Sequence, residues 1–233
     1  MIGHIKDIGH DPAKPDTRLY ATNVAQPWHN DGPADLVTLL CLKSAKQGGS
    51  SSWASSISVY NEMVKRAPEL AAVMSESKAW WWDRKGEIPP GKQGFYEMPV
   101  FNFFQGYLSV NFSDNYYFLS QRHPEVPRLT ELQLQAIKLF NELAGSPELR
   151  IDYILEPGDI QLLSNHTCLH FRTAFEDHDD VDQKRHLLRL WLSPSEERPL
   201  PEYYIDMQGS VEVGTRGGIR TEGQVESISL EAE

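Results

Sequence analysis

The chain is built from short apolar segments separated by turn-forming residues. Asp35–Leu42 is an apolar run too short for a typical helix, so we expect a buried strand there. Ile151–Leu155 and Ile160–Leu163 flank a Glu-Pro-Gly-Asp turn and are predicted to be two strands around it. His166–Phe175 and Arg185–Leu192 are predicted to form another strand pair. This pattern favours a mainly β protein, a sandwich or jelly roll, over alternating βαβ units.

Helices are expected to flank these strands at two places. Thr130–Gly145 begins with Thr-Glu-Leu-Gln, which matches a capping box, and continues with helical apolar spacing. Ser58–Leu70 has weaker helical spacing and a proline near its end. Between the two helices, residues 80–118 are rich in aromatic side chains. We favour core packing for these aromatics, with a substrate pocket and lid as the alternative.

Charge and cysteine content restrict the partners and the compartment. The net charge of −11, from 22 basic and 33 acidic residues, argues against binding nucleic acid or an anionic membrane. No apolar stretch approaches the roughly 18 residues of a membrane helix, and Met1–Asp7 lacks the apolar core of a secretion signal. Cys41 and Cys168 suit a reducing compartment. We expect a cytoplasmic protein with a small-molecule partner; the sequence indicates no oligomeric state.

A candidate metal site begins at His29-Asn30-Asp31. If this segment is extended, His29 and Asp31 point to the same side. His170 on a later strand would add a second imidazole, and two histidines with one carboxylate form the facial triad of non-haem Fe(II) oxygenases. A hydrogen-bonded core histidine is the plainer interpretation of His170.

Two rivals for this site lie close to His170. His166 lies four residues before His170, and Cys168 lies two residues before it. On a continuous strand the side chains of all three residues would therefore share one face. A His-Cys-His zinc site is therefore conceivable. It would leave His29-Asn30-Asp31 unexplained.

The segment Arg185–Leu192 carries two arginines on one strand face. Arg185 and Arg189 alternate with Leu187 and Trp191, and the leucines of the opposite face are expected to face the core. Buried guanidinium groups are costly unless each meets an anion, which a dicarboxylate ligand or a protein carboxylate could supply. Folding the chain back near residue 180 would place position 170 across from 190, with both arginines beside the metal.

Together these segments resemble one known family. The set His29–Asp31, Gly48–Trp53, Leu169–Asp177 and Arg185–Leu192 is similar, in the same order, to the taurine-dioxygenase-like (clavaminate-synthase-like) Fe(II)- and 2-oxoglutarate-dependent oxygenases. The likeness extends from about residue 20 to 195. It implies a double-stranded β-helix, or jelly roll, with flanking helices.

The resemblance also implies roles for individual residues. His29, Asp31 and His170 would hold Fe(II), and the fifteen-residue gap to Arg185 favours His170 over His166. Arg185 would form the salt bridge to the distal carboxylate of 2-oxoglutarate. Ser51 stands where the family has a threonine hydroxyl for that carboxylate. Arg189 matches a second arginine near the cosubstrate or an acidic substrate group.

The implied activity is a dioxygenase reaction that uses O2. Conversion of 2-oxoglutarate to succinate and CO2 would drive hydroxylation or desaturation of a small organic molecule. A carboxylate at Asp31, where related halogenases have a small residue, favours these outcomes over halogenation. A catalytically idle jelly-roll protein that binds metal or ligand is the main alternative, and a zinc hydrolase is disfavoured because no obvious general base accompanies the triad.

We expect one oxygenase domain over residues 1–200 and a C-terminal extension over 201–233 whose end is mobile. The 28 residues before His29 are fewer than the family usually carries.

Overall fold

The computed structural model describes residues 2–217, in which antiparallel strands dominate. The strands are β1 (Gly3–Ile5), β2 (Gln26–His29), β3 (Leu36–Lys43), β4 (Gln47–Gly48), β5 (Ser51–Ser55), β6 (Trp81–Asp83), β7 (Phe95–Glu97), β8 (Phe101–Phe104), β9 (Tyr107–Val110), β10 (Arg150–Tyr153), β11 (Ile160–Ser164), β12 (Cys168–Arg172), β13 (Phe175–Glu176) and β14 (His186–Leu192). The α-helices are α1 (Ser56–Arg66), α2 (Pro68–Val73), α3 (Asp114–Ser120), α4 (Glu131–Ala144) and α5 (Ile205–Gln208).

Two four-stranded antiparallel sheets form the jelly roll that the sequence predicts. The first has the strand order β1-β14-β3-β11 and the second β10-β5-β12-β2. Successive long strands cross between the sheets, as β10, β11, β12 and β14 illustrate. Side chains from both sheets line one interior pocket, which is where the candidate site lies.

The predicted strands exist, but their pairing differs from the prediction. β10 and β11 are not a hairpin, since β10 pairs with β5 and β11 with β3. Likewise β12 and β14 lie in opposite sheets, so Leu190 pairs with Thr38 and not with His170. A jelly roll places chain neighbours in facing sheets, whereas the prediction assumed that chain neighbours pair. The arginines of β14 still reach the pocket beside His170, because the two sheets face one another across it.

The two faces of β14 are also reversed from the prediction. Leu187, on the face of the arginines, is 1% exposed and points inward. Leu190 and Leu192, expected in the core, are 37% and 42% exposed. The face that carries the charges is therefore the interior face of the sheet.

The main hydrophobic core lies between the second sheet and the helices. The capping box of α4 forms as predicted, with Thr130 accepting a hydrogen bond from the Gln133 backbone N–H. The other predicted helix is divided into α1 and α2, because Pro68 begins a new helix. Trp80 and Phe101 are fully buried in this core, away from the pocket, as the packing interpretation of the aromatic segment requires.

The segment after residue 200 packs onto the jelly roll as far as residue 217. Tyr204 is fully buried, and Arg216 forms a buried ion pair with Asp35 at 2.9 Å between Nε and Oδ1. The domain boundary at residue 200 stays a prediction, and the end expected to be mobile lies outside the described residues. Over residues 2–217 no helix is both long and apolar enough to cross a membrane.

Candidate metal centre and anion pocket

Two neighbouring strands bring the two histidines together. β2 and β12 are antiparallel, and His29 at the end of β2 is the register partner of His170. Their ring centroids are 4.0 Å apart. Strand pairing thus places side by side two residues that are 141 positions apart in the chain (170 − 29).

Asp31 completes the group from the loop that follows β2. Its Oδ1 atom lies 3.7 Å from His29 Nε2 and 3.6 Å from His170 Nε2. Its Oδ2 atom is occupied from the opposite sheet, because it accepts hydrogen bonds from Trp191 Nε1 at 2.7 Å and from Arg189 Nη1 at 3.3 Å. One carboxylate oxygen is therefore held by the protein, and the other faces the histidines.

Asparagine side chains fix the loop that carries Asp31. Asn165 donates to the carbonyls of Asp31 and Ala34 and accepts from the Asp31 backbone N–H, at 2.8–3.0 Å. Asn30 donates to the Asn165 and Cys168 carbonyls at 2.6 and 3.0 Å. The loop is thus attached to the turn before β12, so Asp31 and His170 keep their relative positions.

The ligand atoms of His29, Asp31 and His170 all lie within 4.8 Å of one another. No other group of three metal-ligating side chains of this kind occurs within residues 2–217. The rival His166 is not on the strand with His170. It lies in the preceding turn, where its Nε2 atom is 2.7 Å from Asp35 Oδ1. Cys168 also stays outside the group.

Burial and neighbouring charges set the protonation of the group. Burial, followed by the nearby His170, lowers the pKa of His29 to about 3, so its imidazole is neutral at physiological pH. Burial alone would raise the pKa of Asp31, but Arg189 and His170 outweigh it and hold that pKa well below its ordinary range. A neutral imidazole at His29 and an ionised carboxylate at Asp31 are the protonation states in which these two groups bind a divalent metal.

The hydrogen bonds of His29 fit a metal ligand. His29 Nδ1 donates to the Pro27 carbonyl at 2.7 Å, which leaves the Nε2 lone pair on the side of Asp31. That lone pair accepts a hydrogen bond from Gln26 Nε2 at 2.8 Å, a contact that a metal ion would replace. Within the described part of the chain, the buried His170 Nδ1 atom has no hydrogen-bond partner.

Arg185 lies beside this group in the same pocket and forms no salt bridge within residues 2–217. It is 4% exposed, and its Nη1 atom is buried with no hydrogen-bond partner in residues 2–217. Burial lowers the pKa of its guanidinium to about 10, so it stays charged at neutral pH. Ser51 also lines this pocket, and its hydroxyl makes no hydrogen bond within the described range. Arg185 and Ser51 therefore offer unused donors to an anion.

Arg189 occupies a different position from Arg185. Its guanidinium lies between two aromatic rings, 4.9 Å from the centroid of Tyr20 and 4.2 Å from that of Trp191, and it contacts Asp31. It borders the same pocket. This geometry supports the position of Asp31; binding of a cosubstrate by Arg189 stays a prediction.

Several residues of the site received no role from the sequence. Trp191 and Arg172 stand two residues from Arg189 and His170 on their strands, so strand periodicity could have placed both in the pocket. Asn165 gave no comparable signal, because its contacts depend on the path of a loop far away in the sequence.

Comparison with protein families supplies the deciding observation. Residues 2–191 match the model of the family described as taurine catabolism dioxygenase TauD, TfdA family. The chain belongs to this family.

Two curated relatives show how much of the protein is shared. FR-33289 synthase from Streptomyces rubellomurinus is 37% identical over 206 residues, which are 84% of this chain and 58% of that protein. Taurine hydroxylase-like protein SAT17 from Stachybotrys chartarum is 30% identical over 167 residues, which are 70% of this chain and 41% of that protein. The chain thus spans about half the length of these relatives.

Solved structures of TauD-like fold agree with the observed architecture. Asparagine oxygenase in complex with Fe(II), 2S,3S-3-hydroxyasparagine and succinate superposes with a TM-score of 0.59 at 15% identity, covering 82% of this chain and 56% of that one. The non-haem iron oxygenase OrfP, in complex with Fe and alpha-ketoglutaric acid, gives 0.56 at 13% identity, covering 82% and 55%. At such identities these similarities establish the jelly-roll fold.

Proposed function

We propose that this TauD/TfdA-family protein is an Fe(II)- and 2-oxoglutarate-dependent oxygenase of a small organic molecule. The observation that carries the proposal is that two unlike sets of side chains, a group of metal-ligating residues and a buried cation, lie together between the two sheets. His29, Asp31 and His170 present ligand atoms to a common point, and Arg185 presents an unpaired buried cation. A metal ion and a dicarboxylate would satisfy both sets.

His29, Asp31 and His170 would hold Fe(II) beside the pocket. Asp31 is suited to bind through one oxygen, because Trp191 and Arg189 engage the other. Such an arrangement leaves coordination positions for the cosubstrate and O2. When bound, Fe(II) and 2-oxoglutarate supply the oxidative chemistry, in which O2 and 2-oxoglutarate yield succinate, CO2 and an oxidised substrate C–H bond.

The remaining pocket residues would bind and shield the cosubstrate. Arg185 would pair with its distal carboxylate and Ser51 would donate a hydroxyl hydrogen bond, both from within the jelly roll. Apolar side chains from the two sheets line the same pocket: Ile5, Val37, Leu39, Phe171 and Leu187. They exclude water, which strengthens the charge interactions of Arg185.

The substrate class follows from the relatives in outline only. The structural neighbours include an asparagine oxygenase with a hydroxylated amino acid bound, and the curated relatives are named as a synthase and a taurine hydroxylase-like protein. We therefore propose hydroxylation or desaturation of a small polar molecule.

The unpaired thiols of Cys41 and Cys168 support a reducing, cytoplasmic location.

The proposal is tested by succinate formation from 2-oxoglutarate in the presence of Fe(II), ascorbate and O2. The purified wild-type chain is expected to form succinate, if only slowly when no substrate is added, and His170→Ala is expected to abolish it. His178→Ala is a matched control, because His178 is exposed on the acidic loop before β14. Equal succinate formation by the wild-type and His170→Ala proteins would contradict the proposed activity. Metal binding without any succinate would favour an idle jelly-roll protein instead.

A further inference from the structure

A second arginine, Arg172, lies inside the proposed cosubstrate pocket. It follows His170 by two residues on β12, so both side chains project from the same face of the strand. Its register partners are Ser51 on β5 and Gln26 on β2. Arg172 is 5% exposed and lines the same pocket as Arg185 and Ser51.

Only part of the Arg172 guanidinium is satisfied by the protein. Its Nη2 atom donates to the carbonyls of Thr22 and Val24, which fixes the direction of the side chain. Its Nε and Nη1 atoms are buried and have no hydrogen-bond partner in residues 2–217. Arg185 Nη1 also has no partner, so three guanidinium nitrogen atoms of two arginines are unsatisfied in residues lining one pocket.

Neither arginine forms a salt bridge with a carboxylate of residues 2–217, although the charge of Asp177 acts on both. In the described part of the chain no Asp or Glu oxygen lies within 4.0 Å of either guanidinium. The nearby Asp177 accepts a hydrogen bond from the Arg185 backbone N–H on Oδ1, and its buried Oδ2 atom makes no hydrogen bond to either guanidinium. The two guanidinium carbons lie 4.8 and 5.2 Å from the centroid of the Phe175 ring, so two cations border the same aromatic side chain.

Two neighbouring buried cations are unfavourable unless an anion joins them. Burial, and next the charge of Arg185, lower the pKa of Arg172 to about 9, which still leaves it mostly protonated at neutral pH. A carboxylate can accept hydrogen bonds on both oxygens, and charge-assisted bonds to guanidinium groups are among the strongest. An anion with one carboxylate at this position would therefore satisfy donors from both arginines.

We propose that Arg172 and Arg185 together bind the distal carboxylate of 2-oxoglutarate, with the Ser51 hydroxyl as a third donor. This inference rests on the proposed function and adds Arg172 as a residue that selects dicarboxylic over monocarboxylic 2-oxo acids. A purely structural Arg172, which only ties β12 to the Thr22 and Val24 carbonyls, is the competing explanation.

The test compares two ligands that differ only at the distal end. 2-Oxopentanoate has the carbon chain of 2-oxoglutarate but a methyl group in place of the distal carboxylate. Anaerobic calorimetric titration of the Fe(II)-loaded protein gives a Kd for each. In Arg172→Gln the Kd for 2-oxoglutarate is expected to rise about 10- to 100-fold, as for loss of a charge-assisted hydrogen bond, with the Kd for 2-oxopentanoate nearly unchanged. Arg185→Gln is expected to show the same selective loss, whereas Arg66→Gln, on the exposed side of α1, should bind as the wild type does.

The outcomes separate this inference from the proposed function. A wild-type protein that binds no 2-oxoglutarate contradicts the proposed function itself. If the wild type binds it and Arg185→Gln loses it selectively, but Arg172→Gln weakens both ligands equally or neither, then the role of Arg172 alone is wrong. Should Arg172→Gln fail to fold, Arg172→Lys replaces it in the same comparison. The lysine ammonium group keeps the positive charge but lacks the forked donors of arginine. A smaller loss of affinity for 2-oxoglutarate alone supports the proposal, and an equal loss of affinity for both ligands contradicts it.

Discussion

Trp191 donates a 2.7 Å hydrogen bond from its indole N–H to Asp31 Oδ2, across the space between the two sheets. Trp191 belongs to β14 of one sheet, and Asp31 follows β2 of the other. The bond, together with Arg189, leaves Oδ1 as the oxygen that faces His29 and His170. Trp191 therefore acts on the candidate metal centre by orienting a ligand.

We predict that Trp191→Phe weakens Fe(II) binding about 10- to 100-fold, the usual effect of losing a group that orients a metal ligand. Phenylalanine keeps most of the aromatic packing but donates no hydrogen bond to Asp31. The measurement is a titration of the anaerobic protein with Fe(II).

Trp53→Phe is the matched control for Trp191→Phe. Its indole also donates a 2.8 Å hydrogen bond, but to Gln161 and not to a proposed ligand. Its Fe(II) affinity should stay near that of the wild type. If the wild type, Trp191→Phe and Trp53→Phe bind Fe(II) with equal affinity, Trp191 does not orient Asp31.

Gly49 allows Arg185 to lie against the backbone. It has a φ of +71°, and a Cβ atom there would be 3.1 Å from Arg185 Nε. We predict that Gly49→Ala displaces this guanidinium and raises the Kd for 2-oxoglutarate about tenfold or more. The Kd values of the wild type and of Gly49→Ala are measured by the calorimetric titration used for the arginine variants.

Gly106→Ala separates backbone strain from contact with Arg185. Gly106 has a similar φ of +84°, but an added Cβ would meet nothing within 4 Å. Both variants should lose about 1 kcal/mol of folding free energy to the left-handed conformation, and Gly49→Ala alone should lose affinity. The account of Gly49 is wrong if the two variants bind 2-oxoglutarate equally well.

The buried Asp35 carboxylate gives a pH-dependent contribution to stability. Burial raises its pKa, but the hydrogen bonds from His166 and Arg216 outweigh burial, so the net pKa lies below the ordinary 3.8. Because the folded-state pKa is depressed, this stabilisation is present above about pH 4 and is lost as the pH falls through the folded-state value. Asp35 is therefore expected to contribute to acid unfolding.

Asp35→Asn is predicted to cost about 3–5 kcal/mol at pH 7, because it leaves the buried Arg216 cation uncompensated. The difference in unfolding free energy from the wild type should shrink below about pH 4, where Asp35 of the unfolded wild-type chain takes up a proton before Asp35 of the folded protein does. Urea unfolding of the wild type and of Asp35→Asn between pH 7 and pH 3 measures this difference in unfolding free energy. A difference that stays constant over this range would contradict the assigned role of Asp35.

The sequence was sufficient for the residues that follow local rules. His29 and Asp31 are two residues apart, and the apolar runs give β3, β11 and β14 to within a few residues. The capping box of α4 depends only on Thr130 and Gln133, so it was predictable as well. These features need no knowledge of which strands become neighbours.

Strand pairing could not be read from the same patterns. β10 and β11 have partners far along the chain, and the preference for hairpins between chain neighbours gave the wrong partners. The apolar character of the leucine face of β14 predicts that this face lies in the core, whereas the charged face of the strand lines the pocket. The hydrogen bonds of Asn165 and Trp191 to Asp31 depend on this topology, so strand periodicity could place Trp191 in the pocket but could not name its partner.

The convergence of three ligands on one ferrous ion is tested most directly by anaerobic Fe(II) titration with a stoichiometric readout. The wild-type chain is expected to bind one ion per chain. His29→Ala, Asp31→Ala and His170→Ala should each lose most of that affinity, while His178→Ala keeps it. Binding of Fe(II) with unchanged affinity by any of the three ligand variants would contradict the assignment of that residue to the metal centre.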